Sequence, residues 1–205
     1  MQLSPAYRSR LASKKLRALL YAGLLCAMMP LPGWAQAPKT CAPVTDKPYH
    51  PLEPGSRIKY QIVGGPTYQM LVDTKTVSLS GKSYLKQTID YGTSQSVAYY
   101  RQEGAATVYR AKPEDAESTE IPVQPQKGQV WYEADSTWRY TIVSTAEELS
   151  TPVCRYTDCL HIQAEQLGPK AEGRVVRAVF QQYFQRGSGY VGTQMAGKLV
   201  TYRLD

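Results

Sequence analysis

Helical periodicity is missing from most of this chain. Beyond Tyr49, apolar residues do not recur at i, i+3, i+4 and i+7, apart from one candidate helical turn at 146–149. That excludes a helical bundle and a doubly wound α/β fold. Histidine is nearly absent, with two residues, and there are four cysteines. So few of either leaves little material for a metal site or a Cys/His nucleophile. Phenylalanine is scarce too, at two residues against 16 tyrosines. No apolar run reaches the ~20 residues of a membrane-spanning helix. The longest, residues 18–31, lies close to the N-terminus.

Positive charge is present in excess: 24 Lys+Arg face 17 Asp+Glu, a formal net charge of +7. The excess is local. Arg8, Arg10, Lys14, Lys15 and Arg17 precede the apolar run with no acid among them, and the small residues Gly33, Ala35 and Ala37 follow it. Basic, apolar and small segments in that order make a secretory signal peptide. Cleavage is expected after Ala35, with Gly33 three residues before the cut. A second small-x-small site after Ala37 places the stiff ring of Pro38 just past the bond. Residues 1–35, including Cys26, are therefore expected to be removed. The remainder carries 19 bases against 17 acids, with no Lys/Arg cluster. Neither that charge nor export suits nucleic acid, and no membrane span is expected after cleavage.

Residues 36–48 are polar, hold three prolines and read as an extended arm. From 49 to 205 the pattern is that of strands and turns in one β domain. Trp138, Tyr140 and Ile142 share one parity; so do Leu160, Ile162 and Ala164, and so do Val200, Tyr202 and Leu204. Alternation with one apolar face marks antiparallel strands. Further strands are expected at 57–63, 68–79, 83–91, 96–101, 107–111 and 173–185. Gly64-Gly65-Pro66, Ser80-Gly81-Lys82, Gly168-Pro169 and Ala196-Gly197-Lys198 supply the turns. Residues 112–120 are charged and non-periodic, and read as an exposed loop. The apolar parity of 68–79 switches near Thr76, which suggests a bulge in a strongly curved sheet. The expected fold is therefore all-β: a curved antiparallel sheet forming a half-barrel or open barrel.

A weak internal repeat crosses this pattern. Pro51-Leu52-Glu53-Pro54-Gly55 is echoed by Pro122-Val123-Gln124-Pro125-Gln126-Lys127-Gly128. Each half later reaches an aromatic pair, Tyr99-Tyr100 and Tyr183-Phe184. Two related halves, 49–111 and 121–205, and simple reuse of turn chemistry both account for it.

Three stretches carry a resemblance. Tyr49-His50-Pro51-Leu52-Glu53-Pro54-Gly55-Ser56-Arg57-Ile58-Lys59-Tyr60 is similar to an opening Tyr/Phe-x-Pro-Leu-x-x-Gly-x-x-Trp-x-Tyr, with Ile58 replacing Trp. Pro152-Val153-Cys154-Arg155-Tyr156-Thr157-Asp158-Cys159-Leu160 is similar to Pro-Ala-Gly-x-Phe-x-x-Cys-Leu, with Cys154 in the Gly position. Tyr183-Phe184-Gln185-Arg186-Gly187-Ser188-Gly189-Tyr190-Val191 is similar to a closing Tyr-Tyr/Phe-x-x-Gly-x-Gly-x-Val. Together they resemble a family of bacterial secreted proteins and lipoproteins of unknown function. The resemblance implies a β domain of the bacterial envelope, periplasmic or secreted, and implies no reaction.

The candidate chemical groupings are few. Cys154 and Cys159 are expected to form a disulfide across a four-residue hairpin loop, with Cys41 left single; pairing of Cys41 with either remains open. His161 shares a strand face with Cys159, but the spacing matches no common metal site, so no metal, cofactor or catalytic residue is assigned. Glu114, Asp115, Glu117 and Glu120 crowd the 112–120 loop, and Glu147-Glu148 adjoin the candidate helical turn; both groups read as solvated. Gly187, Gly189 and Gly192 precede a strand rather than a helix and read as a bulge or turn. The tyrosines suit half-buried strand positions and also suit a ligand groove. The sequence therefore points to a non-catalytic binding module for a hydrophobic or glycan ligand in the cleft of the curved sheet. The alternatives are a structural or protein-interaction component of the envelope and, on the Cys/His grouping alone, an enzyme.

Overall fold

The period-two alternation becomes thirteen strands in the computed structural model, which describes residues 39–168 and 176–205. The expected signal peptide and both cleavage points lie outside the described residues. The arm supplies β1 (Lys39–Cys41). Then follow β2 (Arg57–Ile62), β3 (Thr67–Leu79), β4 (Lys82–Asp90), β5 (Gln95–Glu103), β6 (Ala106–Arg110) and β7 (Ser118–Ile121). The second run is β8 (Val130–Tyr132), β9 (Trp138–Ser150), β10 (Cys154–Leu167), β11 (Val176–Gln185), β12 (Gly189–Met195) and β13 (Lys198–Arg203). Among the described residues there is no helix, and so none long and apolar enough to cross a membrane.

Twelve strands follow one path, β7-β6-β5-β4-β3-β2-β13-β12-β11-β10-β9-β8. The neighbours along it are antiparallel, so β2–β7 and β8–β13 are each a six-stranded meander. The two meanders join where Thr201 of β13 lies opposite Ile62 of β2. The sheet rolls into a nearly closed barrel with one unsealed seam, between β7 and β8. There the indole N–H of Trp131 donates to the Thr119 carbonyl (2.9 Å), and the Ala134 amide donates to the Ser118 hydroxyl (3.0 Å). The all-β, strongly curved sheet expected from the sequence is what the chain forms.

The repeated turns have matching hydrogen bonds. Gly55 N donates to Val72 O (2.9 Å), and Gly128 N donates to Ile142 O (2.8 Å). Val72 N returns a bond to Ser56 O, as Ile142 N does to Gln129 O, both at 3.0 Å. Each turn thus clips the first strand of its meander to the second. The register of β3 on β4 shifts between Val72 and Thr76, where the parity switch was expected.

The arm is tied down. β1 pairs in parallel with the start of β10, and Cys41 forms a disulfide with Cys154, their Cα atoms 6.0 Å apart. This corrects the expected Cys154–Cys159 bond. The hairpin turns earlier, where Thr151 N donates to Cys154 O (2.9 Å), so both cysteines lie on β10. Five residues of strand span roughly 16 Å, beyond disulfide reach. Cys159 is a free, buried thiol.

Three local expectations also change. Residues 118–120, read as part of a loop, belong to β7; residues 146–149 continue β9 rather than making a helical turn; residues 189–195 form β12. In each case tertiary pairing overrides weak local pattern. Gly187 does sit in a turn: its φ is +75°, and a Cβ there would meet Val44 of the arm at 2.6 Å.

Two apolar clusters hold the barrel. Tyr49, Ile121, Ile142, Leu160, Ile162 and Phe184 pack inside it, with Trp131, Tyr140 and Tyr190 against them. Leu149, Cys154, Tyr156, Cys159, Tyr183 and Val191 pack on the opposite face beneath the arm. Tyr183 and Val191 neighbour Phe184 and Tyr190 in the chain, and successive strand side chains point to opposite faces. The second cluster is therefore on the convex side.

Candidate functional site

Aromatic rings run in contact around the concave side. Tyr91 touches Tyr68 (ring centroids 5.3 Å apart), Tyr68 stacks on Tyr60 (5.0 Å) and Tyr60 meets Tyr190 (5.4 Å). Tyr190 meets Phe184 edge-on (5.6 Å), and His50 lies between Phe184 (6.4 Å) and Tyr100 (4.9 Å). Tyr100 then stacks on Tyr109 at 5.4 Å. The Tyr109 and Tyr140 hydroxyls both donate to Glu133, and Tyr140 stacks on Trp131. β5 and β11 are not neighbours in the sheet, so His50 can touch both Tyr100 and Phe184 only across the interior. The belt thus lines the lumen and spans both meanders. Tyr68, Tyr100, Tyr109, Tyr140 and Tyr190 are half-buried although they face inward.

Three ionisable groups interrupt this belt. His50 lies just past the arm, and its backbone carbonyl accepts a hydrogen bond from Gln102 Nε2 (2.7 Å). Its side chain is 6% exposed, and neither ring nitrogen has a hydrogen-bond partner. Burial lowers its pKa from 6.5 to about 4, so the ring is neutral at pH 7. Glu120 owes its position to a bulge. The register passes from Thr107 opposite Ile121 to Val108 opposite Thr119, leaving Glu120 as the extra residue. A bulge re-aims a side chain, and Glu120 Oε1 comes within 4.0 Å of His50 Nδ1. Burial, and then the Glu133 charge, push the Glu120 carboxyl up to about 7. Its side chain still keeps 23% exposure. Burial also raises the Tyr100, Tyr109 and Tyr140 hydroxyls far above their ordinary value, so they remain protonated.

A cleft of about 280 Å³ opens beside the seam, lined by Tyr109, Ser118, Asp115, Glu133 and Asp135 among others, and meets the belt at Tyr109 and Glu133. A larger groove, about 790 Å³, lies elsewhere, bounded by Val108, Thr119 and residues 122–129, and contains none of the belt. No three His, Cys, Asp or Glu side chains among the described residues converge on a point that would hold a metal ion.

The groupings singled out in the sequence are dispersed by the fold. Cys154 is consumed by the disulfide. Cys159 is fully buried, and burial pushes its thiol up to about 12, the opposite of an activated nucleophile. The His161 ring pairs with Gln181 (2.6 Å) and stacks on Tyr183 (4.6 Å). Glu117, read as solvated, accepts hydrogen bonds from Arg101 Nε (2.6 Å), Lys82 Nζ (2.9 Å) and Tyr84 on the convex face. Glu120, from the same expected loop, is the lumen carboxylate. His50 entered the sequence reading only as an unassigned position in the opening motif. The repeat held the signal that finds both: Pro51 and Pro122 mark the same turn, so the residues just before each enter the barrel together.

Compared with protein-family models, with curated proteins and with solved structures, the chain matches none of them.

Proposed function

We propose that this chain is a non-catalytic binding module of the bacterial envelope that holds a small polar ligand inside the rolled sheet. The carrying observation is that Tyr68, Tyr100, Tyr109, Tyr140 and Tyr190 face inward and are only half-buried, although Tyr60 beside them is fully buried. A barrel filled by its own side chains buries its interior residues. Of the two ligand classes the sequence admits, the lining favours a glycan over a hydrophobic chain. Tyrosine faces stack on sugar rings, and hydroxyls and carboxylates accept their O–H groups. The Cys159 thiol, pushed up by burial, is not an activated nucleophile, which weakens the Cys/His grouping that alone favoured an enzyme.

Export is part of this proposal. A Cys41–Cys154 bond agrees with an oxidising compartment. The motif resemblance to secreted bacterial proteins points the same way, and its glycine at 187 serves the fold. Native mass spectrometry of protein purified from its own host tests the reading. A non-covalent small-molecule adduct is the expected result. An empty chain that arrives with a stoichiometric protein partner overturns it in favour of an interaction component.

A further inference from the structure

We propose that the lumen ligand carries a positively charged amine, seated between Glu120 and His50 against the tyrosine walls, with the Glu133 charge nearby. This rests on the binding-module reading and narrows its ligand class. Among the described residues, neither Glu120 nor Glu133 is paired with a Lys or Arg. Glu133 has only hydroxyl donors, from Tyr109, Tyr140 (2.8 Å) and Thr137 (3.2 Å). No hydrogen bond contributes to the state of Glu120, which feels only burial and the Glu133 charge. Buried charge left unpaired is costly.

His50 is the second observation. It is more than nine-tenths buried, has no partner at either nitrogen, and points Nδ1 at Glu120 Oε1 across 4.0 Å. A neutral imidazole offers one acceptor nitrogen. A donor nitrogen about 2.8 Å from each of two acceptors fits between atoms this far apart. One ammonium group, with several N–H bonds, therefore satisfies the imidazole and the carboxylate together after a small shift of either. The approach matches. Asp115, Glu133 and Asp135 line the cleft and no Lys or Arg does, which concentrates cations at its mouth. A metal ion is the poorer occupant, because no three ligating side chains among the described residues converge.

The test uses calorimetry and Trp131 fluorescence, which reports through its 5.3 Å stack on Tyr140. The probes are glucosamine and putrescine, with glucose and 1,4-butanediol as their neutral counterparts. Saturable binding of an amine at about 1 mM or tighter, with its neutral counterpart weaker by about tenfold or more, supports the proposal. Binding by glucosamine alone identifies an amino sugar; binding by putrescine alone identifies an aliphatic amine. Glu120→Gln is expected to weaken the amine by about tenfold while melting no lower than the wild type, since it removes an unpaired charge. Asp115→Asn at the mouth is expected to weaken it about twofold, an effect lost in high salt. Equal affinity for glucose and glucosamine overturns the amine and leaves the binding module standing. So does a neutral ligand retained in native mass spectrometry when neither amine binds. Failure of all four probes with an empty lumen sinks both readings. A Glu120→Gln protein that melts well below the wild type shows Glu120 to be structural, and overturns the amine site.

Discussion

The two meanders share an order of strands and differ in what covers their convex faces. On the second, β9–β12 bury Leu149, Cys154, Tyr156, Cys159, Tyr183 and Val191 under the arm, and the disulfide fastens the arm there. On the first, Tyr84 is also fully buried, but beneath charge. Arg101 and Arg110 lie 5.8 and 5.5 Å from its ring centre, and Glu117 joins Arg101, Lys82 and the Tyr84 hydroxyl. One half thus excludes water with apolar surface and a covalent tie. The other does it with a charged network over a ring. The teaching is that a repeated topology constrains backbone pairing and leaves the outer layer free to be stabilised by different physics.

The largest way to break this comparison is the disulfide. It closes a 113-residue separation, for which chain entropy gives about 4–5 kcal/mol. Cys41→Ser with Cys154→Ser should lower stability by about that amount in denaturant titrations. Amide exchange should rise first in β10–β12 and leave β4–β6 protected. Uniform loss across both meanders would show that the halves do not differ in this way.

Next comes the pair that the two openings place together, His50 and Glu120. Glu120 moves from 4.5 to about 7. The stability it contributes is therefore complete below the ordinary value and is lost as the pH rises through about 7, by up to about 3 kcal/mol. His50 moves from 6.5 to about 4. Its contribution is complete above 6.5 and is lost as the pH falls through about 4. Thermal melts should show Glu120→Gln flattening only the neutral limb and His50→Phe flattening only the acid limb. A Glu120→Gln profile that follows the wild type up to pH ~8 would refute the placement of that carboxyl.

The smallest effect sharpens the electrostatic half. Glu117→Gln should cost about 1–2 kcal/mol, because charged hydrogen bonds to a partly buried group are lost, and added salt should reduce the difference. The Glu148–Arg155 pair of the second meander is about half-exposed at both ends. Glu148→Gln there should leave the melting temperature unchanged in the same assay.

Much of the fold was legible. Strands β2–β6, β9 and β13 follow from alternation, because half-buried antiparallel strands impose period two on the sequence. The parity change near Thr76 located a real register shift. Strands of three or four residues, β7 and β8, carry too few residues for a period to show. Loop 112–120 looked solvated because its charges were counted without partners. In space Glu117 meets Arg101, and Glu120 turns inward at a bulge. The disulfide was misplaced because closeness along the chain stood in for closeness in space. Cys154 and Cys159 share a strand, while Cys41 arrives from 113 residues away.

The sequence by itself determined the class of architecture: alternation and turn chemistry are local, and they suffice to specify antiparallel strands and a curved sheet. It also marked a recurring turn, whose glycines at 55 and 128 make matching hydrogen bonds. Only the tertiary structure decided which side chains meet in the lumen. His50 and Glu120 stand 70 residues apart in the chain and 4.0 Å apart in the fold. Nothing in the local pattern of either encodes the other. Rolling twelve strands into a barrel joins them, and with them the charge that defines the candidate site.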